Sequence, residues 1–191
     1  MESFSYLLKF IIVGDAGVGK SNIILQFATH TFENNYHSTI GIQYWTCMTS
    51  INDKVFKVHI WDIPDEERSR SEVQTYYQGA ACVFIVYDIT NRDSFTNITR
   101  WISEIREKGN KHVVIMLVGN KSDQMENRVV TMEEAIYLAG QNNIFLIETS
   151  AQTRTNIDQA FMTVISHIYE NIEKGKYDFN YDLCGVKVGK N

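Results

Sequence analysis

Residues 14–21 read GDAGVGKS and fit the spacing G-x-x-x-x-G-K-[ST] in full. Glycines let a backbone pass close to phosphate groups, so that successive N–H groups can point toward them. An apolar run at residues 10–13 precedes the segment, and a helix beginning at about Lys20 would direct its positive end toward the same phosphates. We expect Lys20 to reach the β- and γ-phosphates of a nucleotide and the Ser21 hydroxyl to bind Mg²⁺. The alternative interpretation is a glycine-rich turn without a ligand.

Residues 120–123 read NKSD and follow another apolar run, at residues 113–118. The carboxylate of Asp123 can accept two hydrogen bonds from guanine, from the ring N–H and from the exocyclic amine. Adenine offers neither donor in that arrangement, so such a site discriminates well between the two bases. This motif is common in loops when it occurs alone. Its position downstream of a phosphate loop favours a guanine site.

Residues 148–151 read ETSA and follow the last apolar run, at residues 144–147. We expect the backbone N–H of Ala151 to meet the guanine carbonyl. The alternative is a plain strand-to-helix connection in which Ser150 or Thr155 caps the helix. The order of the three motifs along the chain favours the guanine-nucleotide interpretation.

The elements that must position these motifs alternate between strands and helices. Short apolar or alternating runs predict five strands, at residues 10–13, 55–60, 83–86, 113–118 and 144–147. Such alternation predicts an α/β fold: a mostly parallel central sheet with helices on both faces. Ligands in these folds bind at the carboxyl ends of the strands, where each of the motifs falls.

Helical periodicity places apolar side chains on one face over residues 95–105, and again over residues 157–168. Thr131 followed by Glu134 predicts a capping box that opens a further helix. Residues 52–54 predict the turn of a hairpin that joins Gly41–Ser50 to Val55–Trp61 and adds one antiparallel strand to the mostly parallel sheet.

Composition limits the class of protein. The chain has 191 residues, of which 44% are hydrophobic and 21% charged, so it can bury a core of ordinary size. Its net charge of -5 argues against general nucleic-acid binding, which favours a basic surface. The three cysteines form no disulfide or metal-binding pattern and suit a reducing compartment. No signal peptide or membrane-spanning segment is expected from the sequence.

Together these motifs resemble those of the Ras-like small GTPases, and of the Rab proteins most closely. The resemblance runs from about Leu8 to Ile172 and includes four further segments. These segments are Ser38-Thr39-Ile40-Gly41, Ile60-Trp61-Asp62, Tyr76-Tyr77-Gln78-Gly79-Ala80 and Tyr87-Asp88-Ile89-Thr90. The resemblance implies a P-loop NTPase fold with GTP or GDP and Mg²⁺ as cofactors.

Residue roles follow from the resemblance position by position. It implies that Thr39 binds Mg²⁺ in the GTP state, that Asp62 holds the metal, and that Phe32 lies on the guanine. The expected metal set is therefore Ser21, Thr39 and Asp62. The residues expected to contact the nucleotide are Gly14, Ala16, Gly17, Val18, Gly19, Lys20, Ser21, Asn22, Phe32, Thr39, Asp65, Asn120, Lys121, Asp123, Ser150, Ala151 and Gln152.

An aromatic trio, Tyr44, Trp61 and Tyr76, matches the cluster that Rab proteins present to effectors. Ordinary packing of half-buried strand residues is the alternative explanation for the trio.

The sequence departs from the family in switch II, where Rab proteins read DTAGQE and this chain reads DIPDEE at residues 62–67. Asp65 replaces a glycine whose N–H bonds the γ-phosphate, and Glu66 replaces the glutamine that orients the attacking water. An ionised carboxylate cannot donate a hydrogen bond, and it adds negative charge where the transition state needs positive charge. Pro64 fixes its own φ and extends Ile63. The resemblance makes Lys20 and Glu66 the catalytic residues, and it implies that Glu66 is impaired in this role. We therefore expect slow GTP hydrolysis and weak GTP-driven ordering of switch II.

The sequence assigns residues 1–174 to a GTPase domain and residues 175–191 to a tail or linker. Cys184 lies too far from the last residue for a prenylation signal, so no direct lipid anchor is expected. Residues 184–191 also align with the phosphate loop at residues 14–21, with residues 181–183 as the end of a strand. The tail is therefore either a polar segment or the start of a second, degenerate GTPase domain.

Three functions compete. The first is a GTP/GDP switch of vesicle traffic with slow hydrolysis, acting as a monomer in the cytoplasm and recruited to endomembranes by effector and exchange-factor proteins. The second is a non-cycling scaffold that binds guanine nucleotide constitutively. The third, a P-loop kinase or ATPase, is disfavoured because Asp123 selects guanine.

Overall fold

The structure, a computed structural model, describes residues 3–33, 41–64, 73–180 and 182–189. The strands are β1 (Tyr6–Val13), β2 (Gln43–Ile51), β3 (Lys54–Asp62), β4 (Cys82–Asp88), β5 (Val114–Asn120), β6 (Phe145–Glu148) and β7 (Val186–Val188). The helices are α1 (Lys20–Thr29), α2 (Val73–Gln78), α3 (Arg92–Thr96), α4 (Ile98–Lys108), α5 (Met132–Asn142) and α6 (Ile157–Glu173).

The strands form one sheet in the order β2-β3-β1-β4-β5-β6, and β7 pairs with β1 outside that path. The pairs β3–β1, β1–β4, β4–β5 and β5–β6 are parallel, whereas β2–β3 and β7–β1 are antiparallel. The α/β fold predicted from the sequence is therefore confirmed. The hairpin turns at Asn52 and Asp53, which both have positive φ, a conformation that asparagine and aspartate tolerate well.

Two apolar layers cover the sheet, because successive side chains of a strand point to opposite faces. In β1, Phe10 and Ile12 pack toward α1 and α6, while Ile11 and Val13 pack toward α4 and α5. All four side chains are fully buried. This two-sided burial explains why the central strands read as nearly continuous apolar runs.

Side-chain caps mark the start of α3, at Asn91, and of α5, at Thr131. Thr131 and Glu134 form the predicted capping box at the start of α5. The apolar face predicted over residues 95–105 is present, but it belongs to two helices that meet at Asn97.

None of the helices in the described ranges is both long and apolar enough to cross a bilayer.

The segment that follows α6 contributes to the sheet. Its strand lies at Val186–Val188 rather than at residues 181–183, and Asp182–Cys184 forms a 3-10 turn. Cys184 and Val186 are buried. Gly185 has a φ of 78°, and a Cβ atom there would lie 2.2 Å from the backbone nitrogen of Ala81.

We predict that Gly185→Ala lowers the free energy of unfolding by at least about 1 kcal/mol, because it combines an unfavourable φ with a backbone clash. Gly140→Ala is the matched control, since Gly140 lies in α5 and nothing lies within 4 Å of an added Cβ atom. That control should stabilise the protein by up to ~1 kcal/mol. Urea unfolding measures both changes, and equal stabilities for the two variants would contradict the docking of the C-terminal strand.

Candidate functional site: a phosphate loop and a base-reading loop at the ends of parallel strands

The phosphate loop leaves β1 and curls back against β4. Gly14 has a φ of 144°, and a Cβ atom at this position would lie 2.2 Å from the carbonyl oxygen of Val86. Gly17 and Gly19 also have positive φ values. The loop therefore needs glycine both for its turn and for its close approach to the neighbouring strand.

Lys20 is the first residue of α1, and its side chain is buried. Its ammonium group donates hydrogen bonds to the carbonyl oxygens of Gly14, at 2.8 Å, and of Asp15, at 3.1 Å. The side chain is thus folded back over the loop, where its charge and the positive end of α1 coincide. This arrangement fits the phosphates of a nucleotide.

The carboxylate of Asp15 is anchored to the following helix pair. It accepts hydrogen bonds from the Asn97 amide at 2.6 Å and from the Trp101 indole at 3.4 Å. A carboxylate within a phosphate loop would repel phosphate, and these two donors reduce that repulsion by spreading its charge. Sequence reasoning missed this contact, because nothing in the sequence indicates which side chains face Asp15.

The expected metal site lies where α1 begins and β3 ends. The Ser21 hydroxyl donates a hydrogen bond of 2.5 Å to one carboxylate oxygen of Asp62. Asp62 is fully buried, and its other oxygen has no hydrogen-bond partner among the described residues. Burial raises the pKa of Asp62, although the hydrogen bond from Ser21 and the charge of Lys20 oppose this effect.

These features fit Mg²⁺, which prefers oxygen ligands and would compensate a buried carboxylate. Ser21 and Asp62 are the described residues that would hold it, and bound Mg²⁺ would supply positive charge to the nucleotide's phosphates. Thr39, the third expected ligand, lies outside the described residues. Asp65 and the catalytic candidate Glu66 lie outside them as well.

Asn120 joins the base-reading loops to the phosphate loop. Its amide nitrogen donates to the carbonyl of Val18 at 2.9 Å. Its amide oxygen accepts from the Thr149 hydroxyl at 3.1 Å and from the backbone N–H of Ala151 at 3.2 Å. A Cβ atom on Gly19 would lie 2.3 Å from the same amide nitrogen. One buried side chain therefore fixes the spacing between the two halves of the site.

Asp123 and Lys121 are each held by a polar partner. The Ser150 hydroxyl donates to the Asp123 carboxylate at 2.5 Å, so Ser150 positions the expected guanine acceptor. The Lys121 ammonium forms an ion pair with Asp88 at 2.6 Å, and Lys121 adopts a positive φ. Asp88 stands at the end of β4 and also accepts a hydrogen bond from the Thr90 hydroxyl.

The remaining expected nucleotide contacts border this site. Phe32 is half-buried against the core on the α1 and α6 side. The Asn22 side chain exchanges two hydrogen bonds with the backbone of Glu33, and it thereby holds the segment that contains Phe32. Ala16 and Gln152 are exposed. The nucleotide contacts of these residues stay predictions.

Two supporting interactions were not foreseen from the sequence. The Gln26 amide donates to the carbonyl of Ala151 at 2.8 Å and ties α1 to the base-reading loop. Arg128 binds both carboxylate oxygens of Glu148 at 2.7 Å, beneath the same loop. Long side chains that act across distant segments leave no spacing signal in a sequence.

The phosphate loop, the buried Asp62 and the Asn120-linked base loop define a guanine-nucleotide-binding protein of the P-loop class. A sequence model of the Ras family matches residues 9–170. The chain therefore belongs to the Ras family. Proteins of this family are GTP-binding switches that use GTP or GDP with Mg²⁺, hydrolyse GTP and bind regulators and effectors.

We predict that Asp123→Asn exchanges the base preference of the site. An amide would donate toward the guanine amine, which also donates, whereas xanthine presents a carbonyl at that position. GDP affinity should fall by at least about tenfold and xanthosine diphosphate affinity should rise, since one mismatched hydrogen bond costs ~1–3 kcal/mol. Competition against a fluorescent nucleotide measures both affinities. The control Asp158→Asn, at the exposed start of α6, should change neither affinity. Weaker binding of xanthosine diphosphate by Asp123→Asn would contradict the assignment of Asp123 as the guanine acceptor.

We predict that Asn120→Ala loosens both loops together, because it removes three buried hydrogen bonds. The free energy of unfolding should fall by about 2–4 kcal/mol, and GDP should dissociate at least about tenfold faster. Asn142→Ala, which removes one peripheral bond to Leu138, is the matched control. If GDP release is equally fast in the two variants, Asn120 does not link the loops.

Proposed function

We propose that this chain is a Rab-type switch of vesicle traffic that binds GTP and GDP with Mg²⁺ and hydrolyses GTP slowly. The observation that carries this proposal is the continuous aromatic trio, which is formed by one residue each from β2, β3 and α2. Trp61 lies between Tyr44 and Tyr76, with ring centroids 4.7 and 5.0 Å away. Tyr44 is 46% exposed and Trp61 is half-buried, so the trio is accessible to a partner.

The entry into switch II supports slow hydrolysis. Ile63 is fully buried, and its N–H donates to the carbonyl of Ile12 at 3.2 Å, which extends the pairing of β3 with β1. Pro64 is also buried. The chain therefore enters residues 65–72 from an anchored point, immediately before the substitutions Asp65 and Glu66. The fixed φ of Pro64 restricts the backbone directly before the two added carboxylates.

The expected partners are effector and exchange-factor proteins that bind the switch segments. We propose a cytoplasmic monomer that such partners recruit to endomembranes. The second candidate function is a scaffold that binds guanine nucleotide without cycling. The substitutions Asp65 and Glu66 favour it as well, because two added carboxylates weaken the contact with the γ-phosphate on which a GTP-dependent switch relies. Hydrolysis measurements separate the two.

We predict that GTP hydrolysis accelerates at least about tenfold when Pro64→Ala, Asp65→Gly and Glu66→Gln are combined. The variant restores a neutral residue that can orient water, and it removes negative charge from the surroundings of the transition state. A tenfold change in rate corresponds to about 1.4 kcal/mol of activation free energy. Single-turnover assays with Mg²⁺ measure the rate of each protein. The double variant Glu107→Gln with Glu133→Gln, at exposed positions of α4 and α5, removes the same two negative charges away from the site and should leave the rate unchanged.

Equal rates for the wild-type chain and the triple variant would overturn the slow-hydrolysis proposal. A wild-type chain that shows no hydrolysis, with a fast triple variant, would favour the scaffold. In that case GDP-loaded and GTP-analogue-loaded wild-type chains should also bind partners equally.

A further inference from the structure

The C-terminal strand β7 widens the sheet beside the first residues of β1. It pairs with β1 in the register Leu7↔Lys187 and Leu8↔Val186. The N–H of Lys9 donates to the carbonyl of Gly185 at 3.0 Å, and the N–H of Gly189 donates to Ser5 at 2.8 Å. Val186 packs into the core on the α1 and α6 side, so its neighbour Lys187 points to the opposite face.

That opposite face carries a cleft between the C-terminal segment, β1, β3 and α2. The cleft has a volume of about 290 Å³. We call it the basic cleft, and the lining side chains that matter for its chemistry are Leu7, Lys9, His59, Trp61, Leu183 and Lys187. Trp61 belongs both to the cleft and to the aromatic trio, so the two surfaces are continuous.

The charges of the cleft have one sign. Lys9 and Lys187 supply this charge, and no described lining residue is acidic. Burial, together with the charge of Lys57, lowers the pKa of the third basic residue, His59, and favours its neutral form. Lys57 pairs with Leu7 in the sheet register and so faces the same side. None of these three lysines forms an ion pair within the described ranges. In a chain with a net charge of -5, this is a local concentration of positive charge among the described residues.

Lys9 is the most confined of these cations. Its ammonium lies 5.2 Å from the ring centroid of Tyr76, and burial lowers the pKa of the lysine. A partly desolvated cation gains more from a carboxylate partner than a fully hydrated one does, because the local dielectric is lower. Apolar surface is available beside it, since Leu183 is 38% exposed.

We propose that the basic cleft binds an acidic segment of a partner protein, which seats one apolar side chain against Leu183 and Trp61 and directs its carboxylates to Lys9 and Lys187. This inference rests on the proposed function, for which it names the chemistry of a partner. A concave site with an aromatic wall suits a peptide side chain, whereas an anionic membrane needs a broad basic surface.

The test begins with a displayed library of random 16-residue peptides, selected on the GDP-loaded full chain. We expect the recovered peptides to carry Asp or Glu around a Trp, Phe or Leu residue. Synthetic versions, measured by fluorescence anisotropy, should bind more weakly as the NaCl concentration rises. Lys187→Glu should weaken binding at least tenfold, because it reverses an exposed charge on the cleft. Leu183→Asp should weaken it similarly.

Lys111→Glu is the matched control, since it makes the same charge change at an exposed position outside the cleft. It should alter binding less than twofold. Thermal unfolding and GDP binding verify that each variant is folded. Recovery of no acidic–apolar peptides, or equal binding by Lys187→Glu and Lys111→Glu, would overturn the proposal. So would Lys187-dependent binding to phosphatidylserine vesicles in place of the peptides.

The outcome is separable from that of the proposed function. The basic cleft contains none of the residues expected to contact nucleotide or metal. Fast hydrolysis by the wild-type chain would therefore remove the slow-switch proposal and leave the peptide measurement unaffected. Conversely, failure of the peptides to bind would leave the hydrolysis result standing.

Discussion

The Asn120 side chain makes three hydrogen bonds that together span the phosphate loop and the base-reading loop. Nucleotide recognition needs these two loops at one fixed separation, because phosphates and base are parts of a single ligand. Neither loop has regular secondary structure to hold it there. The buried amide supplies the constraint, and the tight contact with Gly19 shows how little room is left between them.

A second constraint is the buried charge of Asp62. The sheet places this carboxylate at the end of β3 beside Ser21, with one oxygen unpartnered among the described residues. Such a group is costly in the absence of a cation. Its burial therefore links the stability of this end of the sheet to binding of the metal and nucleotide. The adjoining Ile63 and Pro64 are buried too, which ties the start of switch II to the same packed region.

The C-terminal segment shows how one added strand changes the surface available to partners. β7 pairs with the first residues of β1, and Leu183 and Lys187 of the C-terminal segment line the same cleft as Trp61. The aromatic trio is thereby extended into a cleft of mixed apolar and cationic character.

The sequence by itself determined the α/β class, the phosphate loop and the base-reading motifs, because these depend on hydrophobic periodicity and on short contiguous spacings. It also predicted the capping box at Thr131, for the same reason. Only the tertiary structure decided that Asn120 joins the loops, that Asp15 is held by Asn97 and Trp101, and that the C-terminal segment becomes a strand of the sheet. Those outcomes depend on contacts between residues far apart in the chain, and such contacts leave no local pattern to read.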